Sequence, residues 1–263
     1  MKVALFIPCY VDQFYPQVAI ATMQLLQKFG CEVTYPLDQT CCGQPMANAG
    51  YEHLTGSCNK NFINNFKDAD YIVGPTGSCV THIKDHLHDD AQEAAATHIR
   101  KHVYELTEFM VDVLKVEHID AYFPHRVGMH QSCHGLRMLH LGSMSEKVTP
   151  HFSKAEQLLQ HVKGLELSYP TRTDECCGFG GTFCVTEEAV SVRMGKDRIE
   201  DHSVNDVEYI TGGDMSCLMH LEGILKKQRS HVKVIHLAEI LNANVADKLP
   251  GKEAGKQQEV VNA

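Results

Sequence analysis

The stretch Asp174-Glu-Cys-Cys-Gly-Phe-Gly-Gly-Thr-Phe-Cys184 decides how this chain is organised. Adjacent cysteines cannot form an ordinary unstrained disulfide with each other, because their Cβ vectors point apart. They can present two sulfur atoms from one tight turn when a glycine follows, since glycine adopts backbone conformations closed to other residues. An earlier copy stands at Thr40-Cys-Cys-Gly43. This arrangement is what a bound metal ion or iron–sulfur cluster would use.

Each copy of this motif has the same neighbours. The first copy follows Cys9 after 31 residues, and 35 residues separate its glycine from Cys79. The second follows Cys133 after 42 residues, and 38 residues separate its glycine from Cys217. The chain is therefore an internal duplication of the pattern Cys…Cys-Cys-Gly…Ser-Cys-x-x-His, and such a repeat decides the architecture.

Length and spacing together predict two lobes. A chain of 263 residues can bury one large core or two domains of modest size. The repeat favours lobes over residues 1–118 and 119–245. Residues 246–263 are rich in lysine, glycine and glutamine, which is typical of a flexible tail.

Charge and cysteine usage limit the classes of function. The formal net charge of −9 argues against unaided nucleic-acid binding and gives no polybasic membrane signal. The apolar run at residues 2–7 is too short for a signal peptide or a membrane span. Eleven cysteines without an export signal indicate a reducing compartment. We therefore predict a cytoplasmic protein without a membrane span.

Apolar runs and helical patterns alternate along both halves of the chain. Strands are predicted over residues 2–7, 31–35, 70–74, 126–129, 165–169, 207–211 and 233–236. Helices are predicted from residue 16, over about 46–67, from residue 77, over about 90–102, 104–115, 149–162 and 186–202, around residue 217, and over 237–243. The alternation predicts an α/β fold of two pseudo-repeated lobes, each a mostly parallel sheet flanked by helices.

The motif cysteines follow the strands of this predicted fold. Each falls at the carboxyl end of a strand or at the start of the next helix, which is where open α/β sheets place their ligand sites. Four thiolates per lobe satisfy a cubane [4Fe-4S] cluster or a tetrahedral zinc ion. The candidate ligands are Cys9, Cys41, Cys42, Cys79, Cys133, Cys176, Cys177 and Cys217.

Two histidines continue the motif. His82 and His220 lie three residues after the last cysteine of each set, one helical turn along the same face. They could ligate, hydrogen-bond a sulfur atom or relay a proton. His134 also adjoins a motif cysteine.

Three further cysteines have no counterpart in the other repeat. Cys31, Cys58 and Cys184 are interpreted as structural, because cysteine is among the most buried residue types. Cys184 is the closest of the three to a motif, seven residues after Cys177.

The duplicated pattern resembles the CCG cysteine-rich domain shared by one of the subunits of heterodisulfide reductase, the iron–sulfur subunit of glycolate oxidase and lactate utilization protein A. The segments Glu175–Phe183 and Gly212–Cys217 look most like the lactate utilization protein A family. The resemblance covers about residues 1–245.

This resemblance implies an iron–sulfur electron-transfer subunit of a complex that oxidises L-lactate to pyruvate and allows growth on lactate. It implies two partners, a ferredoxin-like iron–sulfur subunit and a third small subunit. The chain has no Cys-x-x-Cys-x-x-Cys-x-x-x-Cys-Pro run, which agrees with ferredoxin clusters on a partner.

One departure from the related patterns leaves alternatives open. The heterodisulfide reductase pattern ends in Cys-x-x-Cys and supports noncubane clusters, whereas both repeats here end in Cys-x-x-His. The departure argues against a noncubane cluster and against disulfide reduction. The alternative hypotheses are a heterodisulfide or thiol–disulfide reductase subunit, and a zinc-bearing scaffold subunit.

Overall fold

Two four-stranded sheets form the framework of residues 1–243, the part of the chain that the computed structural model describes. All strand pairs within them are parallel, in the orders β2-β1-β3-β4 and β6-β5-β7-β8. The strands are β1 (Lys2–Leu5), β2 (Glu32–Thr34), β3 (Tyr71–Gly74), β4 (Val103–Glu105), β5 (Arg126–Met129), β6 (Glu166–Ser168), β7 (Tyr209–Gly212) and β8 (Lys233–His236). The predicted α/β fold with two repeated lobes is confirmed.

Helices connect the strands and flank both sheets. The first lobe contains α1 (Cys9–Phe14), α2 (Pro16–Lys28), α3 (Gln44–Asn48), α4 (Gly56–Phe66), α5 (Gly77–His86), α6 (Glu93–His102) and α7 (Leu106–Glu108). The second contains α8 (Lys154–Leu159), α9 (Phe183–Thr186), α10 (Glu188–Ser203), α11 (Met215–Lys227) and α12 (Leu237–Leu241). Short turns add a 3-10 segment at Glu52–Leu54 and π-helical segments at Phe109–Val113 and His134–Met138. None of the described helices is long and apolar enough to cross a membrane.

Three predicted helices differ from the structure. The predicted helix over 149–162 is reduced to α8, since the segment before Lys154 is not helical and Ser153 caps the helix there. The segment 46–67 is not one helix, because Gly50 has a φ of +85° and separates α3 from the 3-10 turn and α4. The segment 104–115 begins as strand β4, which pairs with β3 through Val103 and Ile72. A tertiary contact therefore overrides the local helical pattern at this point.

The two lobes share a core. One continuous cluster of buried apolar side chains runs from Val3 and Leu26 in the first lobe to Val127 and Leu241 in the second. Helix α12, at the end of the second lobe, packs against α2 of the first. The division at residue 118 stays a prediction, and the predicted tail at 246–263 lies outside the described residues.

The strand order fixes where a ligand site can form. In each sheet the chain runs outward in both directions from the central pair, β1 and β3 or β5 and β7, which makes this pair the topological switch point. Helices that leave such a pair diverge to opposite sides and open a crevice at the carboxyl ends of the strands. Both switch points carry motif cysteines.

Candidate metal centres

All eight repeated cysteines line one cleft between the two lobes. The cleft encloses about 800 Å³ with its opening to solvent included. Its walls also meet through aromatic side chains, because Tyr10 packs edge-on against Phe179 with ring centroids 5.8 Å apart. The two sets of cysteines therefore face a common space, which the spacing of the repeat does not by itself predict.

Within each lobe the four thiols form one chain of contacts. In the first lobe Cys41 hydrogen-bonds with Cys42 and with Cys9, and Cys42 hydrogen-bonds with Cys79. The second lobe repeats this arrangement in the order Cys133, Cys176, Cys177 and Cys217. The structure thus brings together all eight predicted cysteines, in two sets of four. All eleven cysteines of the chain are free thiols.

The glycine of each motif makes the turn that presents two sulfur atoms. Gly43 and Gly178 have φ values of +94° and +90°, which L-residues with a side chain rarely adopt. A Cβ atom on Gly178 would also lie 2.7 Å from Met194 Cβ. The amide of each glycine donates back to the first sulfur of its pair, at 3.4 Å from Cys41 Sγ and 3.4 Å from Cys176 Sγ.

These contacts concentrate negative charge on one sulfur per lobe. Hydrogen bonds from the thiols of Cys42 and Cys9 and from a backbone amide lower the pKa of Cys41 to about 2. The corresponding bonds lower the pKa of Cys176 to about 2. The same contacts raise the pKa of the partner thiols Cys9, Cys42, Cys133 and Cys177. A bound cation would displace the remaining protons, because a coordinating thiol is deprotonated.

The last cysteine of each set lies in the first turn of a helix. Cys79 and Cys217 are the third residues of α5 and α11, and both are buried. Helix N-termini favour negative charge through the helix dipole and their free amides. One buried carboxylate, that of Asp214, accepts hydrogen bonds from the first turns of both helices.

The motif histidines lie beside the centres. His82 is buried and stacks on His86, and the negative charge of Cys41 acts to raise its pKa. The Nε2 atom of His220 lies 3.3 Å from the carbonyl oxygen of Ser191. Burial lowers the pKa of both rings. Their role as ligands stays a prediction.

Sequence reasoning missed a different histidine, His130. A ring nitrogen of His130 and the sulfur atoms of Cys177 and Cys217 all lie within 4.8 Å of one another. Burial lowers the pKa of this ring to about 4, so it is neutral at pH 7. Its signal in the sequence is its place in the repeat, three residues before Cys133, where the first lobe has Phe6 before Cys9.

The three remaining cysteines differ in their surroundings. Cys31 lies in the shared core, as predicted. Cys58 is half-buried beside the first motif, since a Cβ atom on Gly43 would lie 3.5 Å from Cys58 Cβ. The thiol of Cys184 donates to the carbonyl of Gly181 at 3.0 Å.

A second cavity, separate from the cleft, has His130 in its wall. Both lobes line it, with apolar side chains such as Leu136 and Leu237 and with the polar side chains of Glu105, His130 and Gln131. Burial raises the pKa of Glu105 to about 7. Its Oε2 atom accepts hydrogen bonds from the start of α7, and Oε1 has no hydrogen-bond partner among the described residues.

Comparison with known families matches both lobes to one domain type. The model of the CCG cysteine-rich domain matches residues 3–84 and 127–222. These two segments contain all eight repeated cysteines and both motif histidines. The match therefore covers the cysteine loops and, apart from one residue at each start, the strands from β1 to β3 and from β5 to β7, whereas β4 and β8 lie outside it.

Curated relatives match almost the whole chain. Lactate utilization protein A of Geobacillus thermodenitrificans is 41% identical over 246 residues, which is 92% of this chain and 99% of the relative. The proteins of the same name from an Exiguobacterium species and from Bacillus subtilis are 42% and 40% identical. They cover 93% and 92% of this chain, and 98% and 100% of the relatives.

A solved structure shares the architecture at low sequence identity. A hypothetical protein from Helicobacter pylori superposes with a TM-score of 0.58 at 10% identity. The alignment covers 91% of this chain and 48% of that chain. This similarity concerns the fold alone.

Proposed function

Because this chain belongs to the lactate utilization protein A family and carries two CCG cysteine-rich domains, we propose that it is an electron-transfer subunit in L-lactate oxidation. Oxidation of L-lactate to pyruvate releases two electrons and two protons. The proposed role of this chain is to accept those electrons at cysteine-bound centres and pass them to a partner. We further propose that the protein acts in the cytoplasm.

The observation that carries this proposal is the shared cleft. Two sets of four sulfur atoms line one space between the lobes, each at the switch point of a parallel sheet. Four sulfur donors per set fit a [4Fe-4S] cluster, which would supply one-electron chemistry at each position. Two such centres facing a common cleft support electron exchange between them.

The residues of the chain contribute the environment of these centres. The amides of Gly43 and Gly178 donate to sulfur, and such hydrogen bonds stabilise negative charge on a ligand. The buried walls at Cys42 and Cys177 exclude water from the inner side of each set. Exclusion of water and hydrogen bonds to sulfur are two of the means by which a protein tunes such a centre.

The proposal includes two partners. We propose a ferredoxin-like iron–sulfur subunit as the one-electron acceptor, and a third small subunit of the same lactate-utilization system. The name of the relatives supports a part in lactate use, and the absence of a ferredoxin-type cysteine run in this chain supports an external acceptor. Co-purification of the three proteins from a native source, with lactate-dependent reduction of the ferredoxin-like partner, tests this part.

The decisive measurement is metal and acid-labile sulfide content, with electron paramagnetic resonance, on protein purified without air. Iron with matching sulfide, and loss of growth on L-lactate when the gene is deleted, are the expected results. Zinc without sulfide would contradict the proposal and favour a scaffold subunit. Disulfide turnover that depends on Cys176 and Cys177, without lactate-dependent reduction, would favour a heterodisulfide reductase subunit.

A further inference from the structure

The internal repeat gives the residues just before the first cysteine of each set a counterpart in the other lobe. The amide of Phe6 donates to Val73 at 2.9 Å, and the amide of His130 donates to Thr211 at 2.8 Å. Both residues stand three positions before the first cysteine of their set. His130 therefore occupies in the second lobe the position that Phe6 occupies in the first.

The difference between Phe6 and His130 extends to the side chains of the helix that packs against each of them. In the first lobe Phe6 packs against two aromatic rings of α4, at 4.9 Å and 6.1 Å between centroids. In the second lobe His130 packs against a ring of α10 at 6.2 Å, with a buried arginine one turn before it. We call Phe6, Phe62 and Phe66 the phenylalanine trio, and His130, Arg198 and His202 the polar trio.

The polar trio is unfavourable to bury. Its three side chains are 0–2% exposed. Both ring nitrogens of both histidines, and Nε and Nη2 of Arg198, have no hydrogen-bond partner in residues 1–243. A buried polar atom without a hydrogen-bond partner destabilises the fold, because it has lost its hydrogen bonds to water. In the first lobe the phenylalanine trio fills the corresponding position with aromatic rings alone.

The geometry around His130 indicates what offsets this cost. Its ring nitrogen lies within 4.8 Å of the buried sulfur atoms of Cys177 and Cys217. Neutral imidazole nitrogen and thiolate sulfur are the donors that zinc and iron prefer in mixed sites. Arg198 has carboxylate partners, at 3.6 Å from Asp201 and 3.9 Å from Glu175, so the two histidines are the members of the trio that lack a polar partner among the described residues.

We propose that His130 is a nitrogen ligand of the centre held by the second lobe, where it takes the place of one cysteine sulfur, whereas Phe6 offers no ligand in the first lobe and the centre there is bound by sulfur alone. This inference rests on the proposed function only in requiring that the cysteines bind a metal. Replacing sulfur by neutral imidazole raises the reduction potential of an iron–sulfur centre. The two centres would then differ, with the second lobe accepting an electron that the first gives up.

The test compares proteins in which only one lobe can be loaded. Cys42→Ser disables the first set and Cys177→Ser the second, and each protein is reduced without air. We expect pulsed electron paramagnetic resonance to detect a strong imidazole nitrogen coupling when the second lobe alone is loaded. The Cys177→Ser protein, in which only the first lobe can be loaded, gives the baseline nitrogen coupling that backbone amides produce. The coupling should disappear in His130→Phe, which copies the residue of the first lobe.

Two controls separate His130 from other histidines and from misfolding. His220→Phe removes the motif histidine of the same lobe and should leave the coupling in place. Selective ¹⁵N labelling of histidine in the protein with an intact second lobe should change the coupling without any substitution near the centre. A coupling equal to the lobe-one baseline, or one that survives His130→Phe, would overturn the assignment.

The outcomes also distinguish this inference from the proposed function. If the protein holds zinc without sulfide, electron transfer is refuted, and X-ray absorption at the zinc edge then tests His130. A nitrogen in the first coordination sphere that is lost in His130→Phe would support the assignment, and an all-sulfur sphere would overturn it. Iron in both lobes with equal couplings would overturn the inference while electron transfer stands.

Discussion

The carboxylate of Asp214 accepts a hydrogen bond from the amide of Ser78, 2.8 Å away and in the other lobe. Its second oxygen accepts from the amide and hydroxyl of Ser216, at 3.2 Å and 2.6 Å. A single buried side chain thus caps both α5 and α11. In each helix the residue that donates to it, Ser78 or Ser216, is followed directly by a motif cysteine, Cys79 or Cys217. The carboxylate fixes the distance between the two cysteine sets, because both helix starts are hydrogen-bonded to it.

Substitution of Asp214 should therefore affect both centres. An N-cap contributes about 1 kcal/mol, so Asp214→Ala should lower the free energy of unfolding by roughly 2–3 kcal/mol. Asp214→Asn keeps one carbonyl oxygen as an acceptor, so its decrease in the free energy of unfolding should be about half that of Asp214→Ala. Urea unfolding measures both values, and metal analysis should show weaker loading of both lobes.

Ser153→Ala is the matched control for Asp214. Ser153 caps only α8, by accepting from the amide of Glu156, and lies outside the cleft. Ser153→Ala should lower the free energy of unfolding by about 1 kcal/mol and leave metal loading unchanged. Equal metal loss in Asp214→Ala and Ser153→Ala would contradict the link between the double cap and the centres.

Gly178→Ala should damage the second cysteine turn. The residue has a φ of +90°, and an added Cβ would lie 2.7 Å from Met194 Cβ and from the carbonyl oxygen of Ser191. The left-handed backbone alone costs about 1–2 kcal/mol, and the overlap adds to it. Gly50→Ala is the control, because its φ is +85° and its Cβ would meet open space. In thermal unfolding the melting temperature of Gly178→Ala should be well below that of Gly50→Ala. A similar decrease in both variants would show that the steric overlap at Gly178 adds nothing to the cost of the backbone conformation.

The cysteine assignment predicts losses confined to one lobe. Cys177→Ser should remove metal from the second lobe and leave the first loaded, and Cys42→Ser should do the reverse. Because metal binding couples to local folding, the affected lobe should also become sensitive to proteolysis in its cysteine loops. Cys31→Ser, in the shared core, should retain all the metal. Unchanged metal content in both ligand variants would refute the assignment.

Because of the buried carboxyl group of Glu105, we expect the free energy of unfolding to decrease as the pH rises. Burial raises its pKa from 4.5 to about 7, so the folded protein holds a proton that the unfolded chain releases. Between pH 4.5 and 7 the unfolded state binds fewer protons, and this carboxyl should therefore destabilise the fold by roughly 3 kcal/mol as the pH rises.

The isosteric variant Glu105→Gln tests this pH dependence. Its amide oxygen can keep the hydrogen bonds from Thr107 and Glu108, while its amide nitrogen takes the place of the unpartnered oxygen. The difference in unfolding free energy between the variant and the unmodified protein should grow in favour of the variant from pH 5 to 8. A difference that does not vary with pH would contradict the raised pKa.

Much of the fold followed from local patterns. The strands at 126–129 and 233–236 were predicted with the bounds that the structure has. The strand Val103–Glu105 was not, because it contains only three residues between helical segments and forms only by pairing with β3. Short strands are stabilised by their neighbours, so their sequences carry little signal of their own.

The sequence by itself determined the two cysteine sets and their turns. Cys41-Cys42-Gly43 and Cys176-Cys177-Gly178 carry this information locally, since a glycine with positive φ presents two adjacent sulfur atoms whatever the rest of the chain does. The repeat then placed Cys79 and Cys217 at helix starts, because parallel sheets direct the carboxyl ends of their strands to one edge.

Only the tertiary structure decided how the two sets relate to each other and what stands behind them. The common cleft, the bond from Ser78 to Asp214 and the approach of His130 to Cys177 join residues from distant segments. Such contacts depend on how the lobes pack, and packing leaves no periodicity or spacing in the sequence. The repeat made the two lobes alike in strand order, while the buried side chains beside the two cysteine sets differ, with Phe6 in the first lobe where His130 stands in the second.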